Sequence, residues 1–239
     1  MTALVTGATS GIGRAIAKQL ADEGAEVIVH GRDARRGSDV VAEIEKAGGA
    51  ARFIQADMTD EADVLRLADE AGDVDILINN AGIFQFYGTS EMTTERFDLH
   101  MDVNTKAPFL LTRALAPGMA ERGRGSIVNI STLAAAVTTK GTGMYAASKA
   151  ALEQLTRVWS AEYGTQGVRV NAVAPGPVRT PGTDDMDAAT LKAIGETTVL
   201  GRIAEPEEIA EAVVFLASDR ASYITGIVLE AAGGRLSIG

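Results

Sequence analysis

Ala3-Leu4-Val5-Thr6-Gly7-Ala8-Thr9-Ser10-Gly11-Ile12-Gly13-Arg14-Ala15-Ile16 opens on an apolar run that ends at Gly7, after which Ile12, Ile16 and Leu20 recur at helical spacing. The stretch reads strand, glycine loop, helix. Because the helix begins where the strand stops, its unpaired N-terminal amides and the positive end of its dipole face the loop, a ready site for a pyrophosphate. Glycines let the phosphate approach. The spacing is Gly-x-x-x-Gly-x-Gly rather than the Gly-x-Gly-x-x-Gly of many dinucleotide folds. A merely tight turn between strand and helix uses the same residues, so the assignment needs support from the rest of the chain.

The bulk numbers set the frame for that support. With 239 residues, 46% hydrophobic and 23% charged, the chain can bury one large core, and a single domain over 1–239 is expected. It has no cysteine, which removes disulfides, thiolate metal sites and a thiol nucleophile. Two histidines, His30 and His100, are too few for a metal cluster, so no metal is expected. The 22 basic and 32 acidic residues leave a formal charge of −10, which argues against nucleic acid or an anionic membrane as partner. No apolar run approaches about 18 residues and the N-terminus lacks a signal-peptide pattern, so a soluble cytoplasmic protein is expected.

Further along, Glu26 to His30 reads as a buried strand, closed by Gly31-Arg32-Asp33 before a helix from about Ala34 to Lys46. Alternating strands and helices imply a parallel sheet. At the end of the second strand of such sheets an acid takes the ribose hydroxyls of NAD, whereas an arginine accommodates the 2′-phosphate of NADP. Arg32 stands there, with Arg35 and Arg36 adding positive field, so NADP(H) is expected over NAD(H). An ordinary solvated arginine is the alternative. A third strand, Ala51 to Gln55, delivers Asp57, which either accepts from an adenine amine or caps the loop, and Thr59 or Asp60 starts the next helix. Val74 to Ile78 is a fourth strand, and the small residues of Asn79-Asn80-Ala81-Gly82 follow it where the sheet's order should switch.

Thr94 to about Met119 has a helical pattern interrupted by Pro108, whose missing amide would have bonded the carbonyl of Asn104. A kink there would free that carbonyl to hold water. The fifth strand, Gly125 to Ile130, ends in Ser131 and Thr132, two hydroxyls able to polarise a carbonyl. Met144 to Leu152 opens a helix on which Tyr145 and Lys149 share a face. A free tyrosine titrates at about 10, and a neighbouring ammonium favours its ionised form. A sixth strand, Val168 to Val173, leads into the rigid turn Ala174-Pro175-Gly176-Pro177-Val178-Arg179-Thr180. Thr183 to Thr198 reads as mildly helical and long enough for a lid. Pro206 to Ser218 is a helix, Gly226 to Glu230 a last strand, and Gly233-Gly234 begins a tail.

Taken together, the Gly7, Gly11, Gly13 loop, Asn79-Asn80-Ala81-Gly82, Asn104, Tyr145-x-x-x-Lys149 and Pro175-Gly176 with Thr180 resemble the classical short-chain dehydrogenase/reductase family, along essentially the whole chain. The resemblance implies an α/β Rossmann-type, doubly wound, seven-stranded parallel sheet in the order 3-2-1-4-5-6-7, flanked by helices and built into tetramers or dimers. It implies an enzyme exchanging a hydride between NAD(P) and a small-molecule ketone or secondary alcohol. By the same resemblance Tyr145 is the general acid and base, Lys149 lowers its pKa and holds the nicotinamide ribose, and Asn104 binds a relay water. Thr9, Ser10, Ile12, Asp57, Met58, Asn79, Ala81 and Gly82 line the cofactor with the glycine loop and Arg32, and Pro175, Gly176, Val178 and Thr180 close its nicotinamide end.

Two departures from the family pattern stand out. The family's catalytic serine lies thirteen positions before its tyrosine, which falls on Thr132 here, with Ser131 one place earlier as the alternative hydroxyl. Where many relatives carry Asp before the C-terminal glycine pair, this chain has Ala232. Two other functions compete. A non-catalytic, redox-sensing member would keep the nucleotide loop without needing Tyr145 and Lys149. A 3-oxoacyl-acyl-carrier-protein reductase would need a basic surface for its acidic carrier; Arg122 and Arg124 are candidates for it, against Asp184-Asp185-x-Asp187 and the overall charge. Substrate specificity is expected from Ile83 to Gly88, Ala134 to Gly143 and the lid, with Val137, Met144 and Met186 making an apolar pocket.

Overall fold

The computed structural model describes residues 1–183 and 186–235. Asp184 and Asp185, and residues 236–239 of the tail, lie outside the described residues. The strands are β1 (Thr2–Val5), β2 (Glu26–Gly31), β3 (Ala50–Gln55), β4 (Ile76–Asn79), β5 (Gly125–Ile130), β6 (Val168–Pro175) and β7 (Val228–Ala231). They form one parallel sheet in the expected order 3-2-1-4-5-6-7. The helices are α1 (Gly11–Asp22), α2 (Ala34–Lys46), α3 (Glu61–Ala71), α4 (Thr94–Met101), α5 (Ala107–Glu121), α6 (Gly143–Tyr163), α7 (Ala188–Glu196) and α8 (Pro206–Ala217).

Strand alternation assigns the two faces of the sheet. Ala3, Val5, Val27, Val29 and Ile78 pack with Ile16 and Leu20 of α1 and Ile209 and Val213 of α8. The intervening Leu4, Ile28, Leu77 and Ile127 pack with Leu67 of α3, Leu111 of α5 and Leu152 and Trp159 of α6. Since both faces are covered, the central strands are mostly apolar, with His30, Asn79 and Asn129 among the buried polar exceptions. β1 pairs with β2 on one side and β4 on the other, so their carboxyl ends diverge and leave a crevice at the switch point.

Among the described residues four of the eight helices, α2, α3, α4 and α7, begin on a side chain that satisfies a first-turn amide. Asp33 accepts from Arg36, and Asp60 rather than Thr59 accepts from Ala62. α1 differs: Ser10 before it is extended and makes no side-chain cap bond, so the first amides of α1 are left to the loop.

The helical pattern expected from Thr94 to about Met119 is broken differently from a simple proline kink. α4 ends at Met101, residues Asp102–Lys106 form one π turn in which the amide of Ala107 donates to the carbonyl of Asp102, and α5 then runs to Glu121. Pro108 falls in the first turn of α5, where its missing amide costs little. The extra residue of the wide turn brings Asn104 inward, fully buried.

Candidate active site

The glycine loop is held from three directions. Gly7 and Gly11 have φ of 63° and 52°, a left-handed backbone that glycine adopts without cost. The Gly7 amide donates to His30 Nδ1 at 3.1 Å, and His30 Nε2 lies 3.1 Å from the Ala56 carbonyl. Because Nδ1 accepts, the proton is on Nε2 and goes to Ala56. Burial pushes the His30 pKa down to about 4. On the other side Asn80 Nδ2 donates to the carbonyls of Thr6 (2.8 Å) and Gly7 (3.1 Å), while Thr6 Oγ1 accepts the amides of Asn80 and Ala81. A Cβ on Gly13 would run into the Gly7 carbonyl and the Asn80 amide, so the third glycine is required by close approach.

Around the cradle, Ile12 turns its side chain into the core, leaving its backbone for a ligand. The Thr9 methyl lies against Gly31. Thr180 reaches over from the turn after β6, its methyl 3.3 Å from where a Gly11 Cβ would be, and its amide donates to Thr183 Oγ1 at 2.9 Å. Pro175 ends β6, the Gly176 amide donates to Ala231, and Val178 is buried beside its bridge partner Ala204.

At the end of β2, Arg32 is exposed and makes no ion pair among the described residues, while its carbonyl accepts from Gln55 Nε2 at 2.8 Å. Arg32, Asp57, Asp63 and Arg66 border one recess. Asp57 Oδ1 accepts from both the amide and the hydroxyl of Thr59, each at 2.9 Å, so it does cap the loop. Its other carboxylate oxygen takes no hydrogen bond among the described residues, so the capping role and an adenine contact are compatible. Met58 is buried in the core and offers only its backbone. The Asn79 side chain is also turned away from the crevice: it is buried, donates to Asn129 Oδ1 at 2.8 Å, and Asn129 in turn donates to Thr156.

Three successive residues at the exit of β5 engage three residues spaced one turn apart on α6. The Ile130 carbonyl accepts from Lys149 Nζ at 2.7 Å, Ser131 Oγ donates to Glu153 Oε1 at 2.6 Å, and the Thr132 hydroxyl faces the Tyr145 phenol. Thr132 and Ser131 thus point to different partners, as side chains on an extended backbone must. Burial pushes the Lys149 ammonium down to about 8. The phenol departs from the sequence expectation: burial raises the Tyr145 pKa, and the neighbouring Thr132 hydroxyl, not the ammonium, works against that rise. Asn104 Oδ1 accepts the Ile83 amide at 2.9 Å, and Nδ2 donates to the Ile83 carbonyl and Ser148 Oγ, both at 3.0 Å. Its side chain is therefore occupied, leaving its backbone carbonyl as the group a water would use. A Cβ on Gly82 would stand 3.1 Å from Asn104 Oδ1 and 3.2 Å from Lys149 Nζ.

Sequence reasoning passed over five residues of this region. His30 was weighed only as a metal ligand, and Asn80 only as a turn residue. Glu153 had a signal, its place one turn beyond Lys149. Phe84 and Phe86 lay inside the expected specificity segment without being singled out, and their ring centroids stand 6.5 and 6.1 Å from that of Tyr145.

The residues fit a dinucleotide: an uncapped helix start above left-handed glycines suits a pyrophosphate, and Gly82 keeps the space beside Lys149 open. Such a crevice places the protein in the class of NAD(P)-dependent oxidoreductases. A family model described as Enoyl-(Acyl carrier protein) reductase matches residues 7–235. The chain is 40% identical over 236 residues to a 2,5-dichloro-2,5-cyclohexadiene-1,4-diol dehydrogenase of Sphingobium indicum, covering 97% of this chain and 94% of that one. A solved short chain dehydrogenase/reductase family protein is 51% identical with a TM-score of 0.91, covering 98% of this chain and 96% of that one. A blue fluorescent protein from a metagenomic library, solved in complex with NADPH, is 35% identical with a TM-score of 0.91, over 98% and 97% of the chains. The protein belongs to the short-chain dehydrogenase/reductase family and is an NAD(P)-dependent enzyme of it. No helix among the described residues is long and apolar enough to cross a membrane.

Proposed function

We propose that the enzyme reduces a ketone to a secondary alcohol, or the reverse, with NADP(H) and with Tyr145 as general acid and base. The observation that carries this reading is the double tie between β5 and α6, which sets the Tyr145 phenol against Thr132 and the Lys149 ammonium against Ile130. In reduction the carbonyl carbon receives a hydride and its oxygen receives the Tyr145 proton; oxidation returns both. Thr132 donates to the same oxygen and orients it. The raised phenol pKa keeps Tyr145 protonated at neutral pH, the form needed to give a proton. The Asn104 backbone carbonyl, to which Pro108 can offer no amide, would hold a water that resupplies that proton through Lys149.

Bound NADP(H) would supply or accept the hydride. The amides of Ser10 to Gly13 would hold its pyrophosphate, Arg32 its 2′-phosphate, Asp57 its adenine, Lys149 with Tyr145 its ribose, and Val178 with Thr180 its carboxamide. Asp33, the acid nearest the end of β2, is committed to capping α2, which leaves Arg32 as the group that discriminates there.

We also place 1–239 as one domain with residues 183–198 as its substrate lid, working in the cytoplasm as a homotetramer or homodimer. Exposed Phe97, Phe109, Val158 and Tyr223 support the assembly. The acyl-carrier reading is weakened by its docking residues: Arg122 is paired with Asp73 at 2.7 Å and Arg124 with Asp75 at 3.4 Å. Both precede β5, at the amino edge of the sheet, opposite the crevice. The test is NADPH oxidation with a ketone panel, in which Tyr145→Phe should lower kcat about 10²- to 10⁴-fold while NADPH affinity changes far less. A Tyr145→Phe protein turning over at the wild-type rate would reject the reading.

A further inference from the structure

Beside the reacting phenol the chain places two aromatic rings that the hydride reaction itself does not need. Phe84 and Phe86 stand with centroids 6.2 Å apart in a tilted pair and meet Tyr145 at interplanar angles of 60° and 67°, so the three rings form a triangle with two edge-type contacts onto the phenol. Spacings of this kind are those at which aromatic rings attract beyond their buried area. Both phenylalanines nevertheless keep about half of their surface uncovered, 49% and 55%. Their positions are built from two sides. The Phe84 ring lies where a Gly182 Cβ would be, and the Tyr87 amide next to Phe86 donates to the Gly141 carbonyl at 2.9 Å. Arg96, one cation bordering this segment, is not offered to a substrate, since it stacks 3.9 Å over the Tyr87 ring and donates to the Glu91 carbonyl at 2.8 Å.

We infer that the substrate carries its ketone or alcohol on, or directly beside, an uncharged planar ring, which covers Phe84 and Phe86 while its oxygen meets Tyr145 and Thr132. The inference deepens the proposed function and rests on it. A rigid ring meets the two side chains in edge and face contacts, and it loses less freedom on binding than an open chain of equal carbon number. A flexible thioester arm gains no such advantage. Phe84 and Phe86 are then specificity residues of the site.

The experiment uses the full chain with NADPH and two eight-carbon ketones, acetophenone and octan-2-one, measuring affinity by calorimetry and turnover by NADPH oxidation. Acetophenone should bind about tenfold more tightly, and Phe84→Leu and Phe86→Leu should each cut that preference about three- to tenfold, through KM more than kcat. Equal affinities of the wild-type protein for the two ketones would overturn the inference. So would a change of oligomeric state in the leucine variants with the preference unchanged, which would assign the rings to a subunit contact. Ring-selective, Phe-dependent binding without any hydride transfer would instead reject the proposed function and retain this inference.

Discussion

His30 Nδ1 accepts the amide of Gly7, the residue at which the first strand turns into the glycine loop, and the same imidazole donates its one N–H to the Ala56 carbonyl at the end of β3. A neutral ring thereby joins the carboxyl ends of three strands. The cofactor loop depends on a group that cannot be protonated without losing its acceptor.

This sets a pH dependence. The folded-state pKa of His30 is lowered to about 4 from an ordinary 6.5, so between those values the unfolded chain takes up a proton that the folded chain refuses. Stability from this group is fully present above about 6.5 and is lost as pH falls toward 4, up to about 3 kcal/mol in all. Urea unfolding of the wild type and His30→Gln across that window should show the gap between them closing as pH falls. Parallel curves would mean that the imidazole is not the linked group.

In the proposed function Arg32 is the residue that would select the cofactor. A charge-assisted pair with a phosphate contributes about 1.5–3 kcal/mol, so Arg32→Ala should weaken NADPH by roughly 10- to 100-fold and NADH by much less. Fluorescence titration with both nucleotides measures it. A wild-type protein that binds the two equally well would sink the assignment.

The fold was legible because its signals are local and repeated: apolar runs end in glycine or small residues, and amphipathic helices follow each. The order of the strands came from the family resemblance, since parallel pairing leaves no trace in any one segment. The side chains proposed for catalysis, Asn104, Thr132, Tyr145 and Lys149, could be named from the sequence, but their electrostatics could not. Tyr145 and Lys149 share a helix face in sequence, yet whether burial or the ammonium sets the phenol depends on what covers them, which no spacing records. The break around Asn104 was visible through Pro108, whereas the π turn that realises it depends on how α4 and α5 pack. Asn80 shows the same limit. Its amide staples β1 to β4 across 74 positions, a separation at which a single sequence gives no pairing.

Gly82 tests the packing between Asn104 and Lys149. Asn104 is fixed by three hydrogen bonds, so a methyl at residue 82 displaces the flexible ammonium. Gly82→Ala should lower kcat about 10- to 100-fold while circular dichroism and the melting temperature stay near wild type. Full activity in that variant would show that the ammonium's position tolerates the methyl.

The last expectation concerns the two hydroxyls after β5. Ser131 donates to Glu153, whose side chain is only 12% exposed, and so it serves to hold the strand exit against α6. Thr132 faces the phenol. Losing a positioned donor to a developing oxyanion costs about 10²- to 10³-fold in turnover, so Thr132→Ala should fall by that factor and Thr132→Ser, which keeps the donor, should stay active. Ser131→Ala removes one hydrogen bond to a carboxylate, about 1.5–3 kcal/mol of stability, and should leave kcat within a few-fold. Steady-state kinetics paired with thermal melts separate the two roles, one variant losing rate at unchanged Tm and the other losing Tm at nearly unchanged rate. If Ser131→Ala abolishes turnover in a folded, NADPH-binding protein while Thr132→Ala does not, the roles of the two hydroxyls are reversed.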